Sequence, residues 1–170
     1  MPLVILKTIG QIFVFWSLFL YIFPQGILIA EEYISVEQFE FEYQIVVGWA
    51  VFGVFGALGL TSSMYFIAVG RGTPLPFDAP RYLVVRGPYR FVRNPMAIAG
   101  LSQAIGVGIL YGSWMMMVYA FVGGVVWDLF VRPSEEADLA ERFGDSYDHY
   151  QNKVGCWIPN PWPYHTVVEN

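Results

Sequence analysis

The amino-acid sequence predicts an all-α integral membrane helical bundle with about four transmembrane helices and a cytosolic C-terminal amphipathic helix. Three observations predict it. The 170 residues are 56% hydrophobic and only 14% charged, with a mean hydropathy of +0.48. A soluble domain of this length needs more polar side chains to cover its core. The apolar residues fall into four segments, and the charges between them alternate in sign from loop to loop.

The first segment runs from Leu3 to about Ile29 and the second from Ile45 to Val69. Both exceed the roughly 20 residues that cross a bilayer core. The first is too long for the apolar part of a cleaved leader, and no small-x-small cleavage site follows it, so it reads as a retained span. The third, Pro95 to Tyr111, gives roughly 24 Å of helix, short but tolerable where the bilayer thins. The fourth, Trp114 to Val131, follows after only Gly112 and Ser113, which predicts a tight antiparallel hairpin. Ala97, Gly100, Ala104 and Gly108 on the third span, and Gly56, Gly59 and Ser63 on the second, are small residues at helical spacing. They predict close packing between backbones rather than chemistry.

Glu31, Glu32, Glu37, Glu40 and Glu42 lie between the first two spans, with no Lys or Arg among them. Arg71, Arg81, Arg86, Arg90 and Arg93 lie between the second and third. Lys7 sits near the start, and Arg132, Arg142 and Lys153 follow the fourth span. The positive-inside rule therefore predicts cytoplasmic N- and C-termini, with the Arg-rich loop on the same side. The acidic stretch has no function legible in the sequence.

Beyond Pro133, Ser134 is placed as an N-cap, with Glu135 and Glu136 in a first helical turn. Leu139, Phe143, Tyr147 and Tyr150 recur at i, i+4, i+8 and i+11, which predicts one amphipathic helix against the ends of the spans. The Pro-rich tail, with Trp157 and Trp162, predicts an irregular segment anchored at the headgroups. The whole chain, 1–170, reads as one domain.

Several function classes are disfavoured. A net charge of −5 argues against nucleic acid, which selects a basic face. Cys156 is the single cysteine, so there is no intrachain disulfide and no Cys/His cluster for a metal. The chemistry-bearing groups concentrate in two places. One is the segment 83–96, with Arg86, Arg90, Arg93 and Asn94. The other is Asp128, Arg132, Glu135 and Glu136, in which Asp128 and Arg132 stand one helical turn apart and can pair.

These two segments resemble the membrane methyltransferases of the isoprenylcysteine carboxyl methyltransferase and phospholipid methyltransferase family. The first signature, L-V-x-x-G-x-Y followed by R-H-P-x-Y, is matched by Leu83-Val84, Gly87, Tyr89 and Arg93-Asn94-Pro95-Met96-Ala97. The second, R-x-x-x-E with a paired E-E and then L-x-x-x-F-G-x-x-Y-x-x-Y, is matched by Arg132, Glu135-Glu136, Leu139, Phe143-Gly144, Tyr147 and Tyr150. The resemblance covers about residues 70–163. Asn94 stands where the family often has His, and Ala97 where it often has Tyr, as in a bacterial-type R-N-P variant.

The resemblance implies a methyl group moved from S-adenosylmethionine (SAM) to a small lipophilic acceptor entering from the bilayer. It implies a cofactor pocket lined by Leu83, Val84, Tyr89, Asn94, Pro95, Met96, Ala97 and Glu136, with Glu135 beside it. Arg132 and Arg93 are the candidate catalytic residues: Arg132 is implied to face the acceptor, and Arg93 is of the type that holds the donor's carboxylate. A carboxylate such as Glu136 suits the donor's cationic groups. No histidine is placed to deprotonate an acceptor, which favours one already anionic, such as a prenylcysteine-like carboxylate. No metal is required. The Gly70-to-Pro80 loop is the candidate acceptor entrance.

Plainer readings stand beside these. Glu135 and Glu136 can merely complement a helix dipole, worth about 0.3–1 kcal/mol each. Arg71, Arg86 and Arg90 read as topology determinants or lipid-headgroup contacts, Tyr147 and Tyr150 as packing residues, and Cys156 as inert. Two other function classes compete. One is an NADPH-dependent membrane reductase of the sterol reductase type; the other is a non-catalytic membrane scaffold.

Overall fold

The computed structural model describes residues 2–72 and 80–165. All regular structure among them is helical. Four helices make the bundle: α1 (Leu3–Tyr33), α2 (Gln44–Gly70), α3 (Pro95–Tyr111) and α4 (Trp114–Phe143). A short α5 (Asp145–Lys153) follows. α1, α2 and α4 are each long and apolar enough to cross a membrane, and α3 is a shorter apolar helix. Large apolar side chains such as Phe13, Val54, Phe121 and Phe130 face outward, as a lipid environment requires. The chain is an integral membrane helical bundle, as its composition predicts. Residues 73–79, the middle of the proposed acceptor entrance, lie outside the described residues.

α2 and α3 form the most extensive pair, and small residues explain why. A Cβ at Gly106 would stand 3.0 Å from the Phe52 nitrogen and 3.2 Å from the Gly48 oxygen. One at Gly59 would meet the Ala99 side chain at 3.3 Å. The predicted stripe is thus partly shifted, because Ala99, Gln103 and Gly106 carry the contact whereas Gly100 faces open space. At the hairpin between α3 and α4, Gly112 has φ +63, and a Cβ there would collide with the Phe39 carbonyl oxygen at 2.2 Å. Ser113 then caps α4 by accepting the Met116 N–H at 3.0 Å.

Two π-helical turns interrupt α1 and α4, at Leu18–Ile22 and Trp127–Val131, and a third, Phe66–Gly70, ends α2. Two of them come just before prolines embedded in helix, Pro24 and Pro133. A proline lacks the N–H that the helical ladder expects, and a π turn re-registers the carbonyls ahead of it. This overturns the predicted break at Pro133. α4 continues through Ser134, which caps nothing, and Glu135 and Glu136 lie well inside a helix rather than in a first turn. The helix-dipole explanation for them therefore loses its basis. At about 1.5 Å per residue, the 30 residues of α4 exceed a bilayer core of about 30 Å, so the charged stretch from Arg132 projects beyond the apolar part.

The predicted single amphipathic helix is two helices. Gly144 has φ 48 and ψ −132, a conformation essentially reserved for glycine, and it turns the chain between α4 and α5. The four periodic residues still converge. Tyr147 and Tyr150, with Val154, form a buried cluster against which Leu139, Phe143 and Leu83 pack.

Candidate functional site

The site is built at the charged end of the bundle from the loop before α3, the end of α4, α5 and the tail. Gly87 starts a short 3-10 turn, Gly87–Arg90, with φ +58. Tyr65 of α2 occupies the space a side chain at Gly87 would take. The turn carries Tyr89 into the interior, where it is buried beside the ring of Phe66. Val84, also buried, fills the space over Gly70.

The tail is tied to this loop by backbone hydrogen bonds. The Arg93 N–H donates to the Gly155 oxygen at 2.9 Å, Asn160 N–H to Phe91 at 2.7 Å and Tyr164 N–H to Arg90 at 2.8 Å. The Tyr150 hydroxyl donates to the Tyr89 carbonyl oxygen at 2.6 Å. Of the two tail tryptophans, Trp157 donates to the Asp128 carboxylate at 2.6 Å, and Trp162 is exposed.

Arg93 sits at the centre. Its Nε donates to the Val154 oxygen at 2.8 Å, and its Nη1 donates to Glu136 and, at 3.2 Å, to the Tyr147 hydroxyl. The Glu136 carboxylate also accepts from Gln151 Nε2 at 3.0 Å. The two charged side chains are 13% and 20% exposed, so the pair is largely withdrawn from water. Burial works to lower the Arg93 pKa, but Glu136 and Tyr147 outweigh it and the net shift is upward. The sequence suggested separate partners on a ligand for these two residues, and the structure joins them to each other.

Glu135, one residue earlier, has no hydrogen-bond or ion-pair partner among the described residues and is half-buried. Burial, reinforced by the Glu136 charge, pushes its carboxyl up to about 7. The buried Tyr89 phenol is pushed up by burial and by the neighbouring Tyr150 and Glu135.

A second ion pair lies on α4. Arg132 Nε meets Asp128 Oδ1 at 2.9 Å, the one-turn pairing read from the sequence. Cys156 feels both pairs, and burial pushes its thiol up, in keeping with an inert thiol.

Asn94 has a structural role. Its Oδ1 accepts the Ala97 N–H at 3.3 Å and caps α3, with Pro95 at the first helical position, where proline is favoured. Asn94→Ala is expected to cost about 1 kcal/mol of stability, and Asn94→Asp to keep the cap; denaturant titration checks both. Pro95 and Ala97 are buried, and Leu83 and Met96 are partly exposed. Arg71 stacks on the Tyr82 ring at 5.6 Å, and Arg90 donates to the Tyr164 oxygen at 2.9 Å. Sequence reasoning missed Gln151 altogether and took Tyr147 as packing alone. Tyr147 does pack, but its hydroxyl also touches Arg93; spacing along the helix gave no sign of that. Among the described residues no group of three metal-ligating side chains comes together.

Comparison with known proteins gives one family and one relative. Residues 43–146, more than half of the chain, match the family model described as "Phospholipid methyltransferase". The chain is 35% identical over 79 residues to a protein named Protein-S-isoprenylcysteine O-methyltransferase, from Schizosaccharomyces pombe. That stretch is 45% of this chain and 33% of the relative, so the match spans about a third of the relative's length. No solved structure matches. The chain belongs to the phospholipid methyltransferase family.

Proposed function

We propose that this chain transfers a methyl group from SAM to a small lipophilic acceptor, at the end of the bundle that carries Arg93, Glu135 and Glu136. The observation that carries the reading is Glu135. It is a half-buried carboxyl without a partner among the described residues, held up to about 7 by burial and by the Glu136 charge, within the stretch that matches the family. The donor when bound supplies an electrophilic methyl on a sulfonium, and it also carries an ammonium and a carboxylate. Glu135 suits the cationic groups. Arg93 Nη2 has no partner among the described residues, so it suits the carboxylate. Tyr89, Pro95, Met96, Ala97, Leu83 and Val84 are of the right type for an apolar wall.

The Arg93–Glu136 pair, with Tyr147 and Gln151, holds the loop, α4 and α5 together, so these residues position the wall. Arg132, kept in place by Asp128, is the group for the acceptor. An acceptor that attacks as an anion, such as a carboxylate, needs no base here. Methyl transfer is an in-line displacement, and rate then comes from alignment and exclusion of water. The loop would face the cytoplasm, with both termini on that side.

The test is transfer of a labelled methyl from SAM into lipid-soluble product by protein in membranes. Label in the lipid fraction that is lost in Glu135→Gln supports the reading, and no label above empty membranes rejects it. A pH profile adds a second prediction. The Glu135 carboxyl has a folded pKa above the ordinary carboxylate value, so its contribution to stability is full at acid pH and is lost as pH rises through about 7. Donor affinity runs the other way, because a cationic donor pairs with the ionised form. Affinity is expected to rise from pH 6 to 7.5, and Glu135→Gln to flatten both trends in thermal melts and donor titrations.

A further inference from the structure

The acidic segment from Glu31 to Glu42 lies at the opposite end of α3 from the site above and takes no part in it. Between Lys7 and Arg71 the sequence has no lysine or arginine. Glu31 and Glu32 belong to the last turn of α1. Glu31 is only 2% exposed. Its Oε1 accepts the Met115 N–H at 2.8 Å, where α4 begins. Its Oε2 is buried and has no hydrogen-bond partner. A buried acceptor left without a donor is costly, and more so when charged, so a ligand that supplies the donor gains from it.

Glu31 lines a cavity of about 680 Å³, together with Glu32, Glu37 and Glu40. The last three are exposed there. No lysine or arginine of the neighbouring sequence supplies a counter-charge here, and the chemistry narrows which ligand could. A hard divalent ion gathers six or more oxygens around one point, whereas no three acidic, His or Cys side chains converge among the described residues. A quaternary ammonium brings charge but no N–H for Oε2. A chain of methylenes carrying several ammonium groups supplies N–H donors, reaches carboxylates that stand apart, and lays its alkyl parts on Leu28, Ile29 and Val36 of the same wall.

We propose that this cavity binds a linear aliphatic polyamine, with a primary ammonium on Oε2 of Glu31 and its further ammonium groups shared among Glu32, Glu37 and Glu40. The site is independent of methyl transfer at the other end of the bundle.

The test is calorimetric titration of spermidine into the full chain in phosphatidylcholine nanodiscs, beside magnesium and fully N-methylated spermidine. Saturable spermidine binding is expected, with neither comparison ligand matching it. Glu31→Gln keeps an oxygen for the Met115 N–H but sets a donor against the ammonium, and a loss of at least tenfold is expected. Glu37→Gln with Glu40→Gln, at exposed positions, is expected to weaken binding without changing the melting temperature of the ligand-free protein. That double variant decides the matter if Glu31→Gln folds poorly. Binding that the double variant leaves unchanged, or that magnesium or the methylated analogue reproduces, overturns the proposal.

Discussion

Replacing Arg93 by alanine is expected to cost about 3 kcal/mol or more of stability and to remove donor binding. Arg93 is where four parts of the chain meet. Its side chain donates to Val154, Glu136 and Tyr147, and its own N–H donates to Gly155. Truncation leaves Glu136 largely buried with Gln151 as its remaining partner. Breaking such a pair from one side strands a charge, which is why the loss exceeds what the pair itself contributes. Lysine keeps a positive charge but not the planar fork that serves Val154, Glu136 and Tyr147 together, so Arg93→Lys is expected to recover only part of the loss. The double variant Arg93→Ala with Glu136→Ala removes both charges and is expected to be less damaging than the sum of the singles. Denaturation of the three variants, each repeated with added SAM, measures the coupling. Additive losses would mean that the two side chains do not interact.

The second large effect is expected at Gly87. Its φ of +58 lies where an L side chain costs roughly 1–2 kcal/mol. A Cβ there would also stand 2.3 Å from the Tyr65 ring, so either the ring or the loop must move. Tyr89, two residues on, moves with the loop. Gly87→Ala is therefore expected to weaken donor binding at least tenfold, since misplacement of a site wall by about 1 Å is costly. Adding Tyr65→Ala separates the two causes. Removing the ring relieves the collision and leaves only the backbone penalty, so the double variant should bind better than Gly87→Ala alone. Binding equal to wild type in the single variant would show that the turn does not shape the site.

The spans were legible because lipid demands long apolar runs and leaves charge only outside them. The ends of the helices were harder to read. Pro133 looks like a stop because proline ordinarily ends a helix; nothing in the sequence marks the π turn at Trp127–Val131 that lets α4 pass through it. Gly144 was visible within the Phe143-Gly144 signature, but the periodicity of Leu139, Phe143, Tyr147 and Tyr150 continues across it. That happens because the bend returns α5 to the same cluster. The residue types of the site could be read from its two segments, whereas their pairing could not. Arg93 and Glu136 are 43 positions apart, and nothing local says that Glu136 is taken while Glu135 is left without a partner.

The most direct test of the account is binding of SAM to the purified protein in nanodiscs at pH 7.5, wild type beside Glu135→Gln, with NADPH as competitor. The account predicts saturable binding on the order of micromolar, weakened at least tenfold in the variant and untouched by NADPH. Absence of binding, displacement by NADPH, or equal binding by Glu135→Gln would contradict it.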